Sequence, residues 1–252
     1  MNKKLLEIDI KALLINHLIN HDGLDKSVSI INEFTLDNLS RRADLITIDN
    51  RKIIGYEIKS EADSLYRLEG QVEKYLEYFD KVVIIVASKH VGATLQLVPS
   101  NVSVWEVKNN EFLIKQRGKV EKNQNKEKLI NLLKSNELLK LSKKLNIDIS
   151  AKNRKHLEEK LLQSSIHNLR EAVLTSISSR YLSTNLKFWD EVKNRNVSPQ
   201  DIIHLSHYIE ERKNEKTNKI NQQKLWNEWE NKLKKDPKVK KLYKLNQTLI
   251  TV

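Results

Sequence analysis

The chain contains no cysteine. Disulfide scaffolds, thiol nucleophiles and cysteine-ligated zinc are thereby excluded. Glycine occurs five times, always singly. Isolated glycines build no phosphate-cradling loop, which argues against an ATP-driven protein. Long apolar runs are missing as well. The longest, Val82 to Ala87, is far short of the roughly 20 residues that cross a bilayer. No membrane partner is expected. The opening MNKKLLEIDIK meets Glu7 and Asp9 almost at once. No secretory apolar region forms there, so the expected location is cytoplasmic. Arginine is also scarce, since only ten of the 45 basic residues are Arg. The positive charge rests mainly on lysine.

What is present is a charge surplus with a position. The net charge is +12. Residues 1–118 hold 16 Lys and Arg against 17 Asp and Glu; residues 119–252 hold 29 against 16. The whole surplus lies in the second half. A near-neutral module followed by a polyanion-facing one is the reading this favours, with DNA as the expected partner.

Hydrophobic periodicity supplies the organisation. A helix is expected over 3–20, where Leu5, Ile8, Ala12, Ile15 and Ile19 recur at helical spacing. Strands are expected over 28–34, 43–48 and 53–59, a helix over 63–79, and strands over 82–87, 102–107 and 112–116. The run 82–87 is β-branched on both faces and reads as a fully buried strand. The fold class is therefore α/β, an αβ sandwich with a central mixed sheet, over 1–118. Residues 119–126 are polar and read as a linker. From 127 to 252 only helical periodicity is found, giving an all-α region with helices over 127–145, 152–180, 185–194, 199–213 and 217–235. Ser198-Pro199 opens the fourth of these, and Asp236-Pro237 closes the fifth.

The chemistry concentrates in RRADLITIDNRKIIGYEIKS, residues 41–60. A hairpin turning between Asn50 and Arg51 pairs positions that sum to 101. Asp44 then faces Glu57, and Arg42 faces Lys59. Glu57 and Lys59 share a face, being two residues apart. Two carboxylates and an ammonium thus converge between strands whose other positions are Ile and Leu. Charges in such a place are costly unless paired or bound to metal. Mg²⁺ suits two carboxylates completed by water and phosphate oxygens. A semi-buried Asp–Lys–Glu ion-pair network suits the same pattern.

These residues resemble the PD-(D/E)xK nuclease superfamily, the restriction-endonuclease-like fold. Asp44 followed by Glu57-Ile58-Lys59 is similar to its signature, with Ala43 where the name has proline. Gln71-Val72-Glu73-Lys74-Tyr75 resembles the Q-x-x-x-Y motif of the RecB-like branch. The longer run, RADL and then GYEIKSEADSLYRLEGQVEKYLEYFDKVVIIV, looks like a bacterial and phage family of that superfamily over residues 5–110. The resemblance implies a metal-dependent deoxyribonuclease. Asp44, Glu57 and the Ile58 carbonyl would hold Mg²⁺ or Mn²⁺. Glu33 would complete the shell, with Glu7 on the first helix as the other candidate. Lys59 would orient the attacking water. Gln71 would serve the catalytic site, and Tyr75 and Arg67 would touch DNA. The implied settings are phage–host conflict, mobile-element maintenance and repair, in a bacterial or phage-encoded protein.

Residues 127–163 resemble a degenerate SAP-like helix pair, in which Lys152, Arg154 and Lys155 would meet DNA phosphates. A plain helical packing unit fits the same residues. Leu225, Trp226, Trp229 and Leu233 form an apolar stripe suited to a homodimer or protein partner. The pairs His204/His207 and His17/His21 have ligand-like spacing but no matching second element, so they read as ordinary core or surface histidines. The competing function is a non-catalytic DNA-binding or inhibitor protein on the same fold.

Overall fold

The computed structural model describes residues 4–36, 41–49, 52–147, 149–150, 152–193, 195–206 and 222–228. Helix α1 (Glu7–His21) leads into strands β1 (Ser29–Leu36), β2 (Arg41–Ile48) and β3 (Ile53–Lys59). Helix α2 (Leu68–Tyr78) crosses to β4 (Lys81–Ala87). A 3₁₀ turn (Ser88–His90) and α3 (Val91–Leu97) cross to β5 (Ser103–Lys108), and β6 (Glu111–Gln116) closes the sheet. The six strands lie in sequence order. β1, β2 and β3 pair antiparallel, β3 to β5 parallel, and β5 with β6 antiparallel. The expected mixed α/β sheet is present. Each parallel pair needs a crossover, and α3 is the one the periodicity does not reveal. It is seven residues long and buries only Thr94.

α1 starts later than expected, and its buried face is Ile10, Lys11, Ala12, Leu14, Ile15 and Leu18. Ile8 is exposed. α2 also starts late. Asp63 closes a turn on Ser60, whose backbone N–H and hydroxyl both donate to the Asp63 carboxylate.

Five helices follow: α4 (Lys126–Asn131), α5 (Ser135–Lys144), α6 (Arg154–Leu161), α7 (Ile166–Arg180) and α8 (Leu182–Glu191). A 3₁₀ turn (Pro199–Leu205) follows them. The all-helical character is as expected, but two long expected helices are broken. The break at 132–134 is capped by arginines from elsewhere: Arg154 donates to the Leu133 carbonyl and Arg180 to that of Leu132. The break before α7 carries Ser165 as N-cap, accepting from Asn168 N–H. The stretch expected to be helical from Pro199 is 3₁₀ as far as Leu205, and its remainder lies outside the described residues.

These helices are not set apart from the sheet. One face of the sheet packs with α2 and α4–α7 in a single apolar cluster; the other packs with α1, α8 and the 199–205 turn. Residues 119–126 are irregular, yet they are fixed. Lys119 N–H donates to Asn101, and Glu121 and Asn123 N–H donate to Asp80. Contacts divide the chain at His207/Tyr208, so the first compact unit is Met1–His207, rather than 1–118. In the second unit, Tyr208–Val252, the described helix 222–228 exposes Leu225 and Trp226. Trp229, Leu233 and His207 lie outside the described residues. Among the described residues no helix is long and apolar enough to cross a membrane.

One packing detail gives a direct prediction. A Cβ on Gly55 would lie 2.2 Å from the Phe79 ring. Gly55→Ala is expected to cost about 1–3 kcal/mol through overpacking, read as a lower urea midpoint. An unchanged midpoint would show that Phe79 yields freely.

Candidate nuclease-like site at a strand fork

The β2–β3 ladder keeps the sum of 101 from Ile48–Ile53 to Leu45–Tyr56 and stops there. One step further, where Asp44 and Glu57 would pair, the strands open. A backbone irregularity lies at the same level on β1. Glu33 has φ 58, a left-handed backbone rare in a strand. The alternation of faces breaks at this level. Ile31, Phe34 and Leu36 all join the α2-side cluster, and Ala43 faces that side while Leu45 faces the other. Asp44 is caught at the reversal. Its carboxylate enters the fork and accepts the Ile58 backbone N–H at 2.7 Å.

Glu57 projects from the opposite strand of the fork and is 1% exposed. Three donors reach it. Lys59 Nζ lies 2.7 Å and Gln71 Nε2 2.6 Å from its Oε1. The Tyr75 hydroxyl lies 2.7 Å from its Oε2 and 2.8 Å from the Arg42 carbonyl oxygen. Lys59 Nζ also donates to Gln71 Oε1 at 3.0 Å. Burial first, then the charge of Glu57, raises the Tyr75 pKa. The phenol therefore stays protonated and remains a donor. Positions 57, 59, 71 and 75 thus meet, because one turn of α2 presents Gln71 and Tyr75 together to the end of β3.

Glu33 is placed differently. Its carboxylate pairs with Arg42 at 3.1 Å and is partly exposed. The first-helix alternative, Glu7, is the acid that Asp44 senses. Burial, then the charges of Glu57 and Glu7, push the Asp44 carboxyl up to about 8, against the Ile58 N–H bond and the charge of Lys11. Lys11 was missed from the sequence, although a lysine at i−3, i−4 and i−7 from Leu14, Ile15 and Leu18 was a signal. It is 3% exposed. Its Nζ lies 2.6 Å from Glu7 Oε1 and 2.8 Å from Asn32 Oδ1.

Among the described residues no group of three His, Cys, Asp or Glu side chains could hold a metal ion. An ion at the fork would rest on Asp44, Glu57 and backbone and water oxygens, a set that Mg²⁺ accepts. Asp44 has no cation bonded to it among the described residues and shares the fork with the Glu57 carboxylate, a pair that suits a cation. A cleft of about 620 Å³ lies beside this edge of the sheet, lined by Lys4, Leu5, Glu61, Ser88, Lys108 and Asn110. A larger cavity of about 980 Å³, lined by Asn16, Leu186, Trp189 and Arg195 among others, belongs to α1 and α8 and contains none of these groups.

The titration of Asp44 has a consequence for stability. A carboxyl raised from the usual value near 3.9 contributes stability that is fully present below about pH 4. That stability is lost as pH rises through about 8. Asp44→Asn cannot ionise. Its thermal stability relative to the native chain is expected to grow between about pH 5 and pH 9, with no gain near pH 4. Melting curves across that range check this, and an offset independent of pH contradicts it.

The other expected contacts divide. Arg67 is exposed just before α2, available to a phosphate. Lys152 and Lys155 are exposed at the start of α6. Arg154 is turned inward, held by Glu158 at 2.6 Å and the Leu133 carbonyl at 3.0 Å. Arg170 is likewise buried against Asp80 and Arg180 against Glu137, whereas Arg195, paired with Asp201, stays half-exposed. Among the described residues every arginine after 118 has an acidic partner, so the unpaired outward charge there is mainly lysine. His17 packs against Trp105 and Phe112, ring centroids 5.6 and 5.2 Å away, and burial lowers its pKa. It is a packing residue.

Comparison with known proteins gives one family. The family described as bacteriophage P4 protein cII matches residues 1–206. Protein cII of Enterobacteria phage P4 is 36% identical over 212 residues, covering 82% of this chain and 80% of its own. Among solved structures, the SPO1766 protein of unknown function from Silicibacter pomeroyi aligns over 60% of this chain and 100% of its own, with TM-score 0.39 and 16% identity.

Proposed function

The chain belongs to the bacteriophage P4 protein cII family, and we propose that it is a divalent-metal-dependent nuclease that hydrolyses phosphodiester bonds of DNA. The observation that carries this reading is the meeting of Glu57, Lys59, Gln71 and Tyr75 beside Asp44 at the strand fork. These side chains come from β2, β3 and α2, and the buried charges of Glu57 and Lys59 meet no need of the fold that apolar residues would not meet as well.

Asp44, Glu57 and the Ile58 carbonyl are the groups to hold Mg²⁺ or Mn²⁺, which when bound supplies a polarised phosphate and a water of lowered pKa. Lys59 holds its ammonium at the carboxylate and can orient a water or stabilise charge on a phosphate oxygen. Gln71 bridges Lys59 and Glu57, fixing both. Tyr75 orients Glu57 and anchors α2 to the Arg42 carbonyl. Arg67, Lys152 and Lys155 are placed on the surface to receive phosphates. Leu225 and Trp226, both exposed, support a protein-partner or dimer surface on the second unit. The proposed setting is phage–host conflict, mobile-element maintenance or repair in the bacterial cytoplasm.

A second reading has one observation behind it. Glu57 already accepts three hydrogen bonds within the chain, which also suits a non-catalytic DNA-binding or inhibitor protein on this fold. Incubation with linear, circular and single-stranded DNA separates the two. The nuclease reading expects nicking or degradation with Mg²⁺ or Mn²⁺ and none with EDTA. Binding without any product, under either ion, selects the second.

A further inference from the structure

The sheet ends on β6. Its strands lie in sequence order, so among the described residues no strand lies beyond β6. An edge strand presents unpaired N–H and C=O groups, and proteins blunt such edges with proline, inward charges or a covering segment. β6 reads EFLIKQ, without proline or glycine. Leu113 is 43% and Ile114 51% exposed, one on each face of the strand.

The β5–β6 hairpin decides which backbone groups point outward. Asn109 and Asn110, at φ 51 and 65, make a two-residue turn of the primed kind. Lys108 and Glu111 therefore close the ladder as a hydrogen-bonded pair. By alternation Glu111 and Leu113 bond to β5, while the N–H and C=O of Phe112 and Ile114 face away from it. The register shifts only beyond the Ile114–Trp105 pair. Lys115 is kept on the Leu113 side by Glu106, 2.8 Å from its Nζ.

We infer that β6 is a self-pairing edge, by which a second copy of this chain extends the sheet antiparallel, with Leu113 on the two-fold axis. In this register Phe112 meets Ile114 of the second copy, outward backbone against outward backbone, and the reverse pair repeats it. Leu113 meets its own counterpart. Glu111 meets Lys115 of the second copy, twice by symmetry. Charges then alternate across the four strands: Lys108, Glu111, and Lys115 and Glu106 of the second copy. The neighbouring registers of the same parity set Leu113 against Glu111 or against Lys115. Self-complementarity of charge and apolar side chains thus selects one register and one occupant. The fork lies between β2 and β3, away from this edge, so the inference does not depend on the nuclease reading.

The test uses the full chain. It has no cysteine, so one introduced thiol reports the register. Leu113→Cys puts a thiol on the axis, where facing Cα atoms of a non-hydrogen-bonded pair lie about 4.5 Å apart and a disulfide can close. Copper-catalysed air oxidation is expected to give a covalent dimer. Glu111→Cys, whose two copies would lie about 14 Å apart, is expected to give none. By sedimentation equilibrium the native chain should be a monomer–dimer system. Glu111→Lys and Lys115→Glu, each setting like charges opposite each other, should raise the dimer Kd about tenfold or more. An equimolar mixture of the two variants should regain the dimer, because each supplies the charge the other lacks. A native chain that stays monomeric at high concentration overturns the proposal. So does a dimer indifferent to Glu111→Lys that forms no Leu113→Cys disulfide, the result expected were the helix 222–228 the joining surface. Equal cross-linking at both cysteines means random collision and overturns it as well. Should Lys115→Glu not fold, by circular dichroism, the two cysteine variants and Glu111→Lys decide.

Discussion

Lys59→Met is expected to lower DNA cleavage by about 10²–10⁴-fold, the usual contribution of one positioned acid–base or charge-stabilising group. The side chain is well placed to produce a loss of that size. Its ammonium is 2.7 Å from Glu57 and 3.0 Å from Gln71, with only 12% of the side chain exposed. Methionine matches its length and fills the same space without charge. The fold should persist, because Gln71 and Tyr75 still donate to Glu57. Rates on linear and circular DNA, beside a circular-dichroism spectrum and a melting curve, make the measurement. Gln71→Leu should give a smaller loss, since Lys59 keeps its bond to Glu57. Cleavage by folded Lys59→Met within about tenfold of the native rate would remove Lys59 from the chemistry.

The second large effect is structural. Arg170→Met is expected to destabilise the chain by about 3–5 kcal/mol, the usual cost of leaving one charge of a buried pair alone. Asp80, 2% exposed, holds Arg170, the Ile53 N–H at 2.7 Å and the Asn123 N–H at 2.7 Å. This one carboxylate therefore ties α7, the entry to β3 and the segment before α4. In a chain this size the loss corresponds to a fall in Tm of about 6–20 °C. Arg195→Met is the contrast. Its pair with Asp201 has a half-exposed arginine, and a much smaller fall in Tm is expected. The shape of the melt is as informative as its midpoint. One cooperative transition in the variant agrees with a shared core. Two transitions would mean that the helices after 126 unfold by themselves, as the division at 118 implied.

The nearness of α4–α7 to the sheet was not legible in the charge pattern for a physical reason. Net charge counts arginines without their partners. Arg154, Arg170 and Arg180 looked like part of a polyanion-binding surplus, and each is consumed in helix capping or a buried ion pair. Arg170 is 90 residues from Asp80, a distance no local pattern spans. The lysines of the same stretch keep the outward charge, so salt-dependent binding remains an expectation for Lys152 and Lys155 but not for Arg154.

By itself the sequence determined what near neighbours decide. Alternation of apolar residues placed β2, β3 and β4 within a residue or two. The turn after Asp49 set a register that holds through four pairs. The spacing of Gln71 and Tyr75 put them on one helical face. Those are consequences of the 2.0 and 3.6 residue periods, which any short window contains. Only the tertiary structure decided where the ladder opens, that Asp44 turns into the gap, and that Lys11 of α1 is buried against Asn32 while Glu33 turns to Arg42. These depend on side-chain bonds and packing across the sheet, interactions between segments that are neighbours in space alone.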